Sequence, residues 1–309
     1  MKKTNLKVLK ETRYYLAALA AFTTWGFFSL VLRPLRSYAS IDILFYRVFS
    51  CAVLMLLIVL LFMRKQLKQN YDLFTALSKE RKKNIVLINI SGSIFLCINW
   101  FSFIYVMNHI SVKATSLAYL VCPVLTALLA FFTLKEKLSR LQWISLALSI
   151  SGCILLSYED LTNMFFSMII GLSYACYLVS QRRNTGFDKF IVLTLHIVFS
   201  SLILLPFYPS FAGPLPVAGD FYFYIEIIAV VYTIMPLFLN LYALKGINSS
   251  TVGMLLNINP MIAFVLAIVV YHEDMSALQI SAYSIIFTSV IIFNARQIFG
   301  VNKKKISIA

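Results

Sequence analysis

Apolar residues in this chain come in long, nearly unbroken runs, separated by short polar stretches. Ten such runs stand out, at 14–32, 41–63, 84–107, 113–134, 141–158, 163–181, 190–208, 221–244, 250–271 and 277–296. A helix rises 1.5 Å per residue, so about 20 apolar residues cover the ~30 Å of hydrocarbon in a bilayer. Lipid offers no partner to an open backbone group, so each run is expected to be a transmembrane helix. The two-residue alternation of a membrane β-barrel is absent. The pattern predicts an all-α membrane protein of ten transmembrane helices.

Composition agrees. The chain of 309 residues is 61% hydrophobic and 13% charged, whereas soluble domains carry roughly a quarter charged residues. The net charge of +15 would point to nucleic acid in a soluble protein, so its distribution matters. With the N-terminus inside and the runs alternating, 23 of the 27 Lys and Arg residues fall in inside regions and 3 in outside loops. That asymmetry is the positive-inside rule. The charge therefore reflects topology, nucleic acid is not an expected partner, and both termini are expected in the cytoplasm, with the protein in the cytoplasmic (inner) membrane. The Lys-rich residues 1–13 precede an apolar stretch that is long for a signal peptide, so the first run is expected to stay in the mature chain. Cys51, Cys97, Cys122, Cys153 and Cys176 all lie within apolar runs and read as packing residues.

Residues 110–156 align without a gap on 247–293 at an offset of 137, placing Pro123 on Pro260, Glu136 on Glu273, Ser139 on Ser276 and Gln142 on Gln279. Upstream the offset is 149, pairing Trp25 with Tyr174, Arg33 with Arg182 and Arg47 with His196; the longer loop at 64–83 accounts for the change. Each half then holds five spans, 1–160 and 161–309. An odd number inserts the second copy upside down relative to the first. Inverted repeats meeting around a central site are a common plan of secondary transporters.

Proline inside a helix removes one hydrogen bond and crowds the carbonyl four residues back. Pro123 and Pro260 should do so at the centres of spans four and nine, loosening the carbonyls of Tyr119 and Leu256 and marking a midplane site. Polar residues converge on the same depth. Asn99 and Trp100 lie mid-way along span three; Glu226, Thr233 and Asn240 recur every seven residues in span eight; Asn257 stands three residues before Pro260. Four ionisable residues fall within or at the edges of spans: Asp42, Arg47, His196 and Glu226. An arginine deep in a span costs ~3 kcal/mol on insertion scales, so Arg47 should face the bundle interior, paired with Asp42 or Glu226. Glu226 and His196 are candidate proton carriers for coupling. Glu136 and Glu273 each precede a Ser suited to cap the next helix, so a role in the hairpins is expected of them. No Walker loop, zincin signature, nucleophile elbow or metal cluster is found. Neither a cofactor nor enzymatic chemistry is expected.

These residues together resemble the drug/metabolite transporter superfamily, in its EamA family and RarD-like branch. The resemblance rests on Trp25-Gly26, on Asp42-Ile43-Leu44 with Tyr46-Arg47-Val48, on Asn99-Trp100, Asn108-His109, Ser116-Leu117-Ala118-Tyr119, Pro123, Glu136 and Gln142-Trp143, and on Thr233, Pro236, Pro260 and Tyr271 with Glu273. His272 departs from it, standing where the family usually has Gly. The resemblance implies two inverted five-helix repeats around a central cavity, lined by Trp25, Arg47, Asn99, Trp100 and Tyr119. It also implies ATP-independent transport of a small metabolite, amino acid or drug-like solute by alternating access. An intramembrane enzyme acting on a lipid-linked substrate and a passive channel are the alternative readings.

Overall fold

The computed structural model describes residues 2–109, 112–157, 161–272 and 276–298. Among these the chain is all-helical. The helices are α1 (Lys2–Gly26), α2 (Phe28–Leu32), α3 (Ser40–Phe62), α4 (Arg64–Thr75), α5 (Lys79–His109), α6 (Val112–Leu134), α7 (Arg140–Ser157), α8 (Leu161–Arg183), α9 (Lys189–Leu204), α10 (Tyr208–Phe211), α11 (Gly219–Ala229), α12 (Met235–Ala243), α13 (Ser249–Leu255), α14 (Ile258–Val269) and α15 (Ala277–Ile298). Each apolar run is helical over most of its described length, and among the described residues eight segments, against the ten expected, are long and apolar enough to cross a membrane. The segment at Arg140–Leu156 is apolar but short. The sixth run, in α8, packs against α5, α6 and α13 and buries Ser167, Ser173, Gln181 and Tyr174, while Phe165, Met168, Ile169 and Leu172 form an exposed apolar face.

Val53, Leu57, Leu60, Leu61 and Phe62 on α3 are also exposed, as are Phe101 and Tyr105 on α5 and Ile280 and Phe287 on α15. So much exposed apolar surface is a liability in water and matches hydrocarbon. The protein is an integral membrane protein.

α6 and α8 pack closely where Gly171 meets α6. A Cβ there would lie 3.1 Å from the Ala118 carbonyl and 3.3 Å from the Cys122 nitrogen. α13 lies against α6 at Gly253, where a Cβ would stand 2.7 Å from the Thr126 Cβ. The two proline-bearing spans are thus neighbours. Four of the five cysteines are buried, and all five are free thiols.

The loops that follow α6 and α14 share a backbone signature 137 residues apart. Lys135 has φ +55° and His272 has φ +52°, the left-handed conformation that ends helices and favours glycine. This explains why glycine suits the position of His272. In the first loop the turn closes with Glu136 N–H donating to the Ala130 carbonyl at 3.2 Å. The expected caps then follow: Ser139 N–H donates to Gln142 Oε1 at 2.9 Å and Ser276 N–H to Gln279 Oε1 at 3.0 Å, with the reciprocal bonds back to the Ser hydroxyls. These are capping boxes with Gln in the third position. Lys135→Gly is expected to raise stability by about 1 kcal/mol, since a left-handed L-residue is strained by about that much; a higher melting temperature in detergent checks it.

Glu136 does more than turn a hairpin. Its carboxylate accepts the backbone N–H of Ser249 at 2.8 Å, that of Ser250 at 3.1 Å, and the Ser250 hydroxyl at 2.6 Å. It therefore caps α13, a helix from the other half of the chain, where a negative charge also suits the helix dipole. Its counterpart Glu273 lies outside the described residues.

Candidate functional site

Arg47 sits two turns into α3. Asp42, in the first turn, is not its partner: Asp42 Oδ1 accepts the Gly213 N–H at 2.9 Å. Glu226 is not its partner either, since its carboxylate accepts the Ser50 hydroxyl at 2.6 Å. The expected ion pair is therefore absent, because each carboxylate is held by a nearer donor. Among the described residues no carboxylate lies in ion-pair range of Arg47, and its Nε is enclosed without a hydrogen-bond partner. The guanidinium lies 5.4 Å from the centre of the Trp100 ring, a cation–π contact, and is within electrostatic reach of Tyr119 and Cys51. A charge so placed is stabilised by the ring but not neutralised.

Trp25 approaches from α1. The indole N–H donates to the Tyr232 carbonyl at 2.8 Å. That carbonyl is free because Pro236, four residues on, has no N–H to return. The helix widens there into a π turn over Val230–Ile234, a device often found at functional sites, and Thr233 Oγ closes it by donating to the Ile228 carbonyl at 2.9 Å. Trp25→Phe is expected to cost about 1–3 kcal/mol by leaving a buried carbonyl unpaired. The loss should shrink in a Pro236→Ala background, which restores an N–H; thermal melts of the four proteins measure the coupling.

The π turn also corrects the seven-residue stripe. It interrupts the regular spacing, and Glu226 is exposed while Thr233 and Asn240 are buried. Glu226 and Thr233 both reach α3 beside Cys51, but at different depths of burial. Asn240 donates to the Tyr174 hydroxyl at 2.7 Å, and its Oδ1 is unpartnered. Tyr174 meets Trp25 edge to face at 6.0 Å between ring centres. The two residues aligned across the sequence repeat are in contact. Trp25, Trp100 and Tyr119 pack against one buried cluster that includes Cys51, Tyr174 and Leu256.

The prolines behave differently from each other. Pro123 sits inside the continuous helix α6, so the expected interruption is not there. Pro260 lies past a true break. α13 ends at Leu255 and α14 begins at Ile258, with the Leu256 carbonyl taken by the Asn259 N–H at 3.1 Å. Asn257 stands at this break, fully buried, and both its side-chain nitrogen and oxygen lack partners. Buried polar groups are nearly always hydrogen-bonded, so this amide is the most conspicuous exception near the break. Span one is also interrupted, at Phe27 just after Gly26, where a Cβ on Gly26 would fall 2.6 Å from Ile262 Cβ on α14.

Two proposed residues are placed as ties. Asn99 donates to the Ile170 carbonyl at 2.9 Å and to Ser173 Oγ at 3.3 Å, fastening α5 to α8. His196 is buried between Tyr177 and Asn89, with Nδ1 3.4 Å from the Tyr177 hydroxyl and Nε2 3.1 Å from Asn89 Oδ1. Asn184 Nδ2 also donates to that Asn89 oxygen at 3.0 Å, so the oxygen is an acceptor and the proton belongs on Nε2. Both ring nitrogens are then bonded. Sequence reasoning gave Ser50 and Cys51 no place in the site, Cys51 reading as a packing residue, and met Tyr174 only as the repeat counterpart of Trp25. The first two are three and four residues beyond Arg47 on the same helical face, a spacing that identifies them. A cavity of about 100 Å³ lined by Phe101, Ser102, Tyr105, Val106, Phe166 and Ile169 lies among exposed apolar side chains, apart from Arg47.

A family model described as the EamA-like transporter family matches residues 12–158 and again residues 161–295. The chain belongs to the EamA-like transporter family. An uncharacterized transporter, YojE of Bacillus subtilis, is 29% identical over 281 residues, spanning 90% of this chain and 92% of the relative. Protein RarD of Salmonella typhimurium is 25% identical over 304 residues, spanning 96% and 99%. The uncharacterized transporter PA0485 of Pseudomonas aeruginosa is 22% identical over 292 residues, spanning 91% and 93%. A solved structure titled only as the crystal structure of a protein superposes with a TM-score of 0.70 over 94% of this chain and 99% of its own, at 12% identity, a likeness of fold alone. This family member is a membrane transporter, and the names of its relatives point to transport rather than enzymatic chemistry.

Proposed function

We propose that this EamA-like transporter is a secondary carrier of a small solute bearing a carboxylate or similar anionic group, which Arg47 binds from a site between the two halves. The observation that carries this reading is the uncompensated guanidinium. An ion held inside a protein without a partner costs several kcal/mol, and a solute anion would supply the missing charge. The indole face of Trp100, the Tyr119 ring, and Trp25 with Tyr174 provide apolar contact for the rest of the solute. Asn257, with a donor and an acceptor both unused, is the second recognition group. Thr233 and Asn99 act through the backbone they hold. Glu226 is the better candidate for ion coupling, because it is exposed and one turn of α3 separates its partner Ser50 from Arg47; the ring of His196, bonded at both nitrogens, fits a tie.

The mechanism we propose is alternating access between two inverted five-helix repeats of ten spans in the cytoplasmic membrane, termini inside. Several observations support it. The family model matches twice in tandem; the left-handed turns and capping boxes recur at the 137-residue offset. Packing pairs exchange as a two-fold axis requires, since α6 on α8 is matched by α14 on α1, and α5 on α8 by α12 on α1. The breaks at Phe27 and at Leu256–Asn257 supply hinges.

Proteoliposomes preloaded with unlabelled amino acids should accelerate uptake of a labelled amino-acid mixture, the counterflow of a carrier. Counterflow with neutral sugars or amines but with no carboxylate-bearing solute overturns the role given to Arg47. Uptake without any trans-stimulation identifies a channel.

A further inference from the structure

α4 has no counterpart in the second half of the chain. The register between the halves shifts by 12 residues across this region, from 149 to 137, and α4 is 12 residues long. Whatever the transport core needs, its second half manages without this helix. Its sequence, Arg-Lys-Gln-Leu-Lys-Gln-Asn-Tyr-Asp-Leu-Phe-Thr, places Leu67, Tyr71 and Phe74 on one stripe at steps of four and three. Leu67 and Tyr71 are exposed, Tyr71 by 66%. Beside the stripe runs a basic arc of Arg64, Lys65 and Lys68. Past the helix follow Lys79, Arg81, Lys82 and Lys83, so residues 64–83 hold 7 basic and 2 acidic side chains.

α4 is held at its start and at its middle. It starts directly after α3, whose last turn it caps by donation from Arg64 Nε to the Leu60 carbonyl at 2.6 Å. Midway along, Asn70, the buried residue of the helix, accepts the Asp188 N–H at 2.9 Å, at the residue that caps the start of α9. α3 and α9 pack side by side. A helix leaving the end of one membrane span and pinned to the same end of its neighbour runs along the face of the membrane. The Phe74 ring carries the Lys82 ammonium at 6.0 Å from its centre, which keeps one basic residue over the apolar stripe.

We infer that α4 and the basic run 79–83 form a dock for the anionic phospholipid headgroups of the leaflet on that side. Leu67, Tyr71 and Phe74 enter the boundary between headgroups and acyl chains, and Arg64, Lys65, Lys68, Lys82 and Lys83 collect phosphates around them. The chemistry is that of an interfacial amphipathic helix, where apolar insertion and attraction to negative lipid add, reinforced by a juxtamembrane basic cluster. The inference needs the protein only to be integral to a membrane; it does not depend on the transported solute or on Arg47.

The test uses the full chain reconstituted into vesicles of phosphatidylcholine alone or with 30% phosphatidylglycerol. A spin label on Tyr71→Cys, in a Cys176→Ala background, reports depth through its collision rates with oxygen and with a water-soluble nickel chelate. The label should lie below the headgroups in the mixed vesicles and move toward water at least fivefold, by the ratio of the two rates, when Lys65, Lys68, Lys82 and Lys83 are all changed to Gln. Native mass spectra of detergent-released protein should retain phosphatidylglycerol over phosphatidylcholine for the parent, and lose that preference in the quadruple variant. A label that stays in water in the mixed vesicles overturns the inference and leaves α4 as a surface for a soluble partner. A parent with no lipid preference, or a quadruple variant that keeps it, overturns it as well. Both readouts are taken on protein that elutes as a single folded species, so misfolding is recognised separately.

Discussion

Replacing Arg47 by Met is expected to abolish counterflow while leaving the protein more stable, by about 1–4 kcal/mol, in detergent melts. The two effects have one cause. Among the described residues the guanidinium has no carboxylate partner and its Nε no acceptor, so in the empty protein it carries an unrecovered desolvation cost that a well-packed apolar side chain does not. Methionine keeps the length and the contact with Trp100. If Arg47 were instead a structural pin, the same change would lower stability, because a buried pair broken on one side leaves an uncompensated charge. Transport at the parental rate in Arg47→Met would remove this residue from the solute path. Arg47→Lys should retain weak activity, since it keeps the charge but loses the flat ion that stacks on the indole.

The second large effect is expected at Asn257. Asn257→Leu removes a buried amide whose nitrogen and oxygen are both unbonded, which should stabilise the protein by about 1–3 kcal/mol, and its helical φ and ψ accept leucine without strain. Counterflow should nevertheless fall at least tenfold, because the donor and acceptor kept free at the break between α13 and α14 are then gone. Loss of stability in this variant, with transport unchanged, would mean that the amide serves packing alone. The Arg47 and Asn257 variants are distinguishable from simple folding defects by the same measurement, since both are expected to melt later than the parent.

The contrast between the two prolines illustrates what a sequence can and cannot carry. Both are centred in apolar runs and align across the repeat, yet α6 continues through Pro123 while the other span breaks ahead of Pro260. A proline forbids one hydrogen bond; whether the helix kinks, widens or breaks depends on what else can serve the freed carbonyl. Ahead of Pro260 the Asn259 N–H takes that role for Leu256. At Pro236, which drew no attention as a break, the indole of Trp25 supplies the donor from another helix.

Polar periodicity fared in the same way. The spacing of Glu226, Thr233 and Asn240 is that of one helical face, yet a π turn interrupts it, and Glu226 is exposed while the other two are buried. Asn99 reads from sequence as either a solute ligand or a tie, and in the structure its amide nitrogen bonds Ile170 and Ser173. The cap residues Ser139 and Ser276 were legible because a capping box is local: four consecutive residues contain the whole interaction. Glu136 was legible only as a loop residue, since its acceptor work is on Ser249 and Ser250, more than a hundred positions away.

The sequence by itself determined that this chain lives in a membrane, that its spans are helices, and that its two halves are related. These follow from run length, from charge placement and from alignment, none of which needs a partner in space. Tertiary structure alone decided that Arg47 has no counterion among the described residues, that Asn257 is unpaired at a helix break, and that Glu226 is exposed while Thr233 is buried. Each of those depends on which donors and acceptors arrive from other helices, and a one-dimensional pattern holds no record of who arrives.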